Sequence, residues 1–417
     1  MRTAVKTDGI KSIVSWCLFD FANSSYSAVI AAVVFPVYYA KVVVGGEAGL
    51  GDLWWGRAIS LSMAVVALTS PFLGGIADYA SARRRFLMVY TLGCVLSVAA
   101  LSTVGPGMVL TGFFLMVVAN IGMEGGLVFY NAYLPDITSK DYFGRVSAWG
   151  FALGYAGSMI SLLVALPLVR AGMYGNVWLM VAAFFFAFSM PLFVWCGNGG
   201  GGSMGISKAA VTGLKETFAT LREIWRNKGR RRFLAAFFIY QDGVNTVIVF
   251  SSIFASVTLG FQPEELVFLY MVVQFSALTG SAVLAAPIDI WGARRVIDLS
   301  LVLWIAVTVV AYFTETKAAF WAVAVIAGIG LGTIQAASRA LYAGFIPHGK
   351  EAGYFGVYSL VGKTSAVLGP LVFGFVSSWT GSQRPAILSV ALFFILGGIM
   401  LAGIPKKTIA CVETSEG

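Results

Sequence analysis

"GGIADYASARRRF", residues 74–86, sits in a break between two long apolar runs, and the chain returns to the pattern as "APIDIWGARRVI", residues 286–297. The second copy pairs Asp289 with Asp78 and Arg294–Arg295 with Arg83–Arg84. Further along, "PDITSKDYFGRVSAWG" (135–150) matches "PHGKEAGYFGVYSLVG" (347–362), with Pro135, Tyr142, Phe143, Gly144, Ser147 and Gly150 finding identical partners. An earlier stretch, "DFANS" (20–24), is echoed by "DGVNT" (242–246). Three matches in the same order with nearly constant spacing describe a duplicated unit, and each copy contains six apolar stretches.

The composition says where such a unit lives. Hydrophobic residues make up 59% of the 417-residue chain and charged residues 11%, and the mean hydropathy is +0.85. A water-soluble domain is about half apolar and a quarter charged, so this balance belongs in lipid. A spanning helix needs about 20 apolar residues, and twelve stretches of that kind can be read, centred from Ala28 to Phe393. The expected fold is therefore an all-α membrane protein with twelve transmembrane helices in two six-helix bundles. The boundaries expected are an N-terminal arm (1–12), a first bundle (13–196), a linker (197–230), a second bundle (231–405) and a tail (406–417).

The net charge of +9 raises the question of nucleic acid, and its distribution answers it. With both termini on the cytoplasmic side, the outer loops hold only Lys41, Arg57, Arg170, Lys317 and Arg384. Arg339 and Lys363 fall within helices, and every other Lys and Arg lies on the inner side. Basic residues crowding one face set topology, so no nucleic-acid partner is expected. The start "MRTAVKTDGIKSI" leads into an apolar run too long for a cleavable signal. Within the linker, Ile206, Ala210, Leu214, Phe218, Leu221 and Trp225 recur every three or four residues opposite Lys208, Lys215, Arg222 and Arg226. That spacing predicts an amphipathic helix lying on the inner leaflet, in contact with membrane lipids.

"GGIADYASARRR" resembles the signature loop of the major facilitator superfamily, a Gly-x-x-x-Asp followed by a basic cluster; the second copy carries Ala285 where the Gly would stand. More narrowly, "SWCLFDFANSSY" (15–26), "ANIGMEGGLVFYNAYLPDI" (119–137), "YQDGVNTVIVF" (240–250) and "YFGVYSLVGKTSAVLGP" (354–370) resemble the vacuole-effluxer-like family. Fungal members of that family export amino acids from the vacuole and are tied to autophagy. The resemblance implies a secondary transporter whose first, fourth, seventh and tenth helices line a central cavity, in a bacterial inner membrane.

Those four helices carry most of the intramembrane polar residues. At about 100° per residue, Asp20, Asn23, Ser24 and Ser27 share one side of the first helix. Asn120, Glu124 and Asn131 share one side of the fourth; Asp242, Asn245 and Thr246 of the seventh; Gln335, Ser338, Arg339 and Tyr342 of the tenth. Charge inside a membrane is costly and marks substrate or ion paths. Glu124 and Arg339 have no charged counterpart in the other half, which suits gripping one substrate; together they match a zwitterion such as an amino acid. Asn120, Asn131, Asn23, Asn245, Gln335 and Tyr342 complete the candidate substrate contacts. Asp20 and Asp242 recur in both halves and are candidates for proton coupling, with Lys363 of the eleventh helix as a partner. Their alternative role is to bond helix ends and neighbouring amides.

Asp78, Arg83, Arg84, Asp289, Arg294 and Arg295 lie where helix ends meet loops, and read as a conformational latch made of charge-assisted bonds that form in one state and break in another. Neither the Gly-rich segments nor the single histidine, His348, supplies a nucleotide, metal or nucleophile motif, and the four cysteines share no ligand spacing. No cofactor is expected, and a monomer is. Lipid or lysolipid transport is the competing function; a membrane-embedded enzyme is a more distant one.

Overall fold

The computed structural model describes residues 7–45, 50–198, 205–366 and 368–404, and among them every regular element is helical. The expected tail (406–417) and the first half of the expected N-terminal arm lie outside the described residues. Among the described residues eleven helices are long and apolar enough to cross a membrane. In chain order these are α1 (Gly9–Gly45), α2 (Leu53–Tyr79), α3 (Arg83–Thr103), α4 (Val109–Ile137), α5 (Lys140–Arg170) and α6 (Tyr174–Trp195). The linker forms α7 (Ile206–Arg226). There follow α8 (Lys228–Val257), α9 (Glu265–Trp291), α10 (Ala293–Phe313) and α11 (Lys317–Ala343). The remaining expected span is in two pieces, α12 (Glu351–Thr364) and α13 (Leu368–Thr380), before α14 (Gln383–Ala402).

Two compact units emerge, and they do not follow the duplication at every point. The first holds residues 1–139 and 153–217 together with 347–357, the start of α12. The second holds 218–346 and 358–417 together with 140–152, the start of α5.

Within each unit, small residues let helix backbones touch, which is how helices bind where lipid offers no hydrophobic drive. In the first unit Gly157 of α5 faces the Phe21 carbonyl of α1 with no room for a Cβ. In the second, Gly280, Gly328 and Gly332 bring α9 and α11 into the same kind of contact. Aromatic stacking fixes the first unit's centre. The indole of Trp16 stacks on Tyr130 at 4.6 Å and donates to the Tyr130 carbonyl at 2.9 Å, and Phe19 also stacks on Tyr130 at 5.0 Å. The motif residues of α1 and α4 thus pack on each other. Pro36 interrupts α1, which runs as π-helix over Tyr26–Val33 and Tyr39–Gly45 on either side of a short α-helical turn. Such wide turns tend to occur at functional sites.

Candidate functional site

In the first unit, the end of α2 meets the start of α12. Asp78 accepts from the backbone N–H of Ala352 at 3.1 Å and of Gly353 at 2.8 Å, so its carboxylate caps the N-terminus of α12. Exposed N–H groups and the helix dipole both favour an anion there. Beside it lies Arg83, fully buried at the start of α3. Its Nε donates to Asp78 at 2.8 Å and its Nη1 to Asp136 at 2.6 Å, while Nη2 reaches Glu351 of α12. One guanidinium therefore gathers carboxylates from α2, α4 and α12. The backbones approach as closely as the charges demand: a Cβ on Gly74 would collide with the Ala352 carbonyl, and one on Gly356 with Ser70 and Pro71.

Arg84 plays no part in this node. Its guanidinium donates to the Phe193 carbonyl at 3.4 Å, on α6. The motif reading does not single out Asp136 or Glu351. Asp136 follows the repeated Pro135, a signal that is present in the chain; Glu351 aligns with Ser139 in the first copy, so the repeat cannot mark it.

The second unit holds the related contact with its parts rearranged. Asp289 at the end of α9 accepts from the backbone N–H of Arg145 at 3.1 and 3.2 Å, near the start of α5. The Arg145 guanidinium stands 3.7 Å from its carboxylate. Arg294 is engaged elsewhere, donating to the Ala402 and Ile404 carbonyls at the end of α14, and Arg295 is exposed. The docking point is shifted along the helices: Asp78 caps residues that align with 140 and 141, whereas Asp289 caps at 145. Gly144, the counterpart of Gly356, packs on Ile288 and Asp289.

The candidate substrate and coupling residues divide between the units. On α4, Asn120 is buried, donating to Ser62 at 2.6 Å and accepting from Tyr26 at 3.2 Å. It ties α1, α2 and α4 together. Glu124, one turn on, is half-buried. Neither Tyr26 nor Ser62 stands out in the sequence, although Tyr26 lies three residues beyond Asn23. Asp20 and Asn23 are buried, and the Asn23 amide donates to Asp20 at 3.4 Å. Asn131 is half-buried at the end of α4.

On α11, Arg339 is buried against the start of α5. Its Nε donates to the Ser147 hydroxyl at 2.9 Å, its Nη2 to the Ser147 carbonyl at 2.6 Å, and the guanidinium lies 4.0 Å over the Phe151 ring. Ser147 is one of the residues identical in both repeats, so the duplication marks it without revealing this role. Tyr342 stacks between Phe233 and Tyr358, and Gln335 is half-buried one turn before Arg339. Asn245 accepts from Gln241 at 3.1 Å.

Asp242 is fully buried on α8, and its Oδ2 accepts from the Gly369 N–H at 2.8 Å, capping α13. Its Oδ1 is buried with no hydrogen-bond partner among the described residues. Lys363 stands in the last turn of α12. The interruption of this span thus carries a cation at the C-terminal end of one piece and an anion at the N-terminal end of the next, the arrangement the helix dipoles favour. Helix-end bonding, the alternative role for Asp242, is present in its geometry.

Solved structures with this architecture include transporters of the major facilitator superfamily. The human organic anion transporter MFSD10 (TETRAN) superposes with a TM-score of 0.73 over 96% of this chain and 100% of its own, at 13% identity. The transporter FucP, in its outward conformation, gives 0.70 over 96% and 100%, also at 13%. The fold defines the class, a multi-pass helical membrane protein with the architecture of these solved transporters. Within that class the chain belongs to the vacuole effluxer Atg22-like family, whose sequence profile matches residues 57–143 and 141–408. Among its relatives, the uncharacterized MFS-type transporter YxiO of Bacillus subtilis (strain 168) is 29% identical over 96% of both chains. Autophagy-related protein 22 of Yarrowia lipolytica is 24% identical over 86% of this chain and 77% of its own.

Proposed function

We propose that this transporter moves a small zwitterion, an amino acid or a close chemical relative, by alternating access in the bacterial inner membrane, with both termini cytoplasmic. The observation that carries the alternating-access part is the capping of α12 by Asp78 together with the Arg83 node. Residues 347–357 are held by charge-assisted bonds and glycine contacts, which form as a set and break as a set. Asp78 and Arg83 act as the latch, and Asp289 holds the start of α5 in the same way. Membership in a family described as vacuole effluxers, and fungal relatives named for autophagy, support the substrate class.

Glu124 is the carboxylate assigned to the substrate's ammonium group, supported by its half-buried place one turn from Asn120 on α4. Arg339 is assigned to the substrate carboxylate, with Ser147 and Phe151 orienting its guanidinium. Asp20 and Asp242 are assigned to proton coupling, because a carboxylate that moves between an apolar wall and a hydrated cavity can trade its charge for a proton.

A thermal-shift screen of the purified protein against amino acids, organic anions and lysolipids tests the substrate class, since a ligand that binds only the folded state raises its stability. Amino acids should stabilise the protein and drive counterflow exchange in liposomes. Stabilisation by lysolipids alone, without amino-acid exchange, overturns the reading.

A further inference from the structure

The linker helix α7 has faces that local sequence periodicity cannot orient, and the fold orients them. Ala209, Gly213, Thr217, Thr220 and Ile224 are buried. The first part of this face lies on α2: the Thr217 hydroxyl donates to the Pro71 carbonyl at 3.2 Å, and Gly213 packs without room for a Cβ on Ile76. Glu216 bonds Tyr79, the last residue of α2. The contact thus covers the final nine residues of a membrane-spanning helix, about 12 Å of its length. That places α7 at the level where the hydrocarbon core gives way to headgroups.

At about 100° per residue, the side of α7 opposite the buried face holds Val211, Phe218 and Trp225, each seven residues apart and therefore in line. They are 60%, 64% and 69% exposed. Three residues before each stands an exposed cation, Lys208, Lys215 and Arg222, forming a second row about 60° around the helix. Arg231 adds a further cation, 5.6 Å over the Trp225 ring. An apolar row bordered by a cationic row at headgroup depth fits neither water nor pure hydrocarbon.

We propose that this face of α7 binds anionic phospholipids of the adjoining leaflet: Val211, Phe218 and Trp225 enter the acyl boundary, and Lys208, Lys215 and Arg222 hold headgroup phosphates. The charge complementarity and the depth set by α2 select the occupant, since a zwitterionic surface would leave the cationic row without counter-charge. The site stands apart from the transported substrate and does not depend on its identity. It lies against the same helix end that carries Asp78, with Gly75 turned to α7 and Gly74 to α12.

Cys17, Cys94 and Cys196 are buried, so replacing Cys411 alone gives a background for labelling the full chain. A single cysteine at position 211, 218 or 225, carrying an environment-sensitive fluorophore, is placed in nanodiscs of phosphatidylcholine with or without phosphatidylglycerol. With phosphatidylglycerol, emission should shift to the blue and be quenched by brominated acyl chains. In a separate measurement, phosphatidylglycerol retained by the detergent-purified protein should fall on the order of tenfold in the K208Q/K215Q/R222Q variant. These positions are exposed, so the fold is not at stake. Iodide quenching that persists in phosphatidylglycerol overturns the proposal, as does unchanged lipid retention in the triple variant. Burial of the label without quenching by brominated lipid would indicate a protein partner and overturns it too.

Discussion

Gly74→Ala isolates the docking of residues 347–357 from almost everything else. A Cβ at position 74 would stand 2.6 Å from the carbonyl carbon of Ala352, a clash with backbone that no rotamer relieves. Overpacking of this kind costs about 1–3 kcal/mol, and the cost applies only while 347–357 is docked. The substitution also adds up to ~1 kcal/mol of helix propensity to α2, which is present whether or not the segment is docked and so cancels. The docked population should fall by about fivefold to over a hundredfold, at roughly 1.4 kcal/mol per tenfold. Gly356→Ala should act the same way, since its Cβ would stand 2.7 Å from the Pro71 Cα. Gly75→Ala is the milder control, meeting the Thr217 hydroxyl at 3.0 Å and the Gly213 carbonyl at 3.1 Å on α7. Spin labels at Arg85 and His348, both exposed, read the docking as a distance distribution. Gly74→Ala should add a longer component to that distribution. An unchanged distribution in both Gly74→Ala and Gly356→Ala would refute the latch.

Asp242→Asn should keep α13 capped, because Asn caps about as well as Asp, whereas Asp242→Ala should cost about 1 kcal/mol of stability. If Asp242 also carries the coupling proton, the Asp242→Asn protein loses accumulation under a pH gradient; normal accumulation leaves the residue a cap alone. Asp20→Asn should abolish proton-driven accumulation yet retain counterflow, and full accumulation would make Asp20 helix-packing glue. Arg339→Lys should lower both melting temperature and substrate affinity, because an ammonium can neither fork onto Ser147 nor lie flat on Phe151 as a guanidinium does; wild-type affinity would remove Arg339 from the substrate contacts. Asn120→Ala leaves the buried Tyr26 hydroxyl only the weak acceptor Met116 Sδ at 3.7 Å and should destabilise by about 1–3 kcal/mol, seen as a lowered melting temperature.

The duplication, the twelve spans and the basic asymmetry were legible in the chain because each depends on local composition or on repeats in one dimension. Period and spacing likewise showed that Asn120 and Glu124 share a face, and that Asp78 and Arg83 belong to one motif. Which surface each face meets was settled only in three dimensions. "VGKTSAVLGPLVFGF" (361–375) reads as continuous apolar helix, yet it is interrupted between Thr364 and Leu368, where Asp242 from α8 supplies the cap for α13. The two repeat loops look equivalent, but their Asp residues cap different turns, so the second keeps its carboxylate and loses its arginine partner to α14. Arg339 reads as a lone cation awaiting a ligand until Ser147 and Phe151 of α5 close over it. The reason is physical. In lipid every helix face is apolar enough to meet any other, so partner choice falls to close backbone contacts and a few long-range hydrogen bonds. Neither leaves a local period in the sequence.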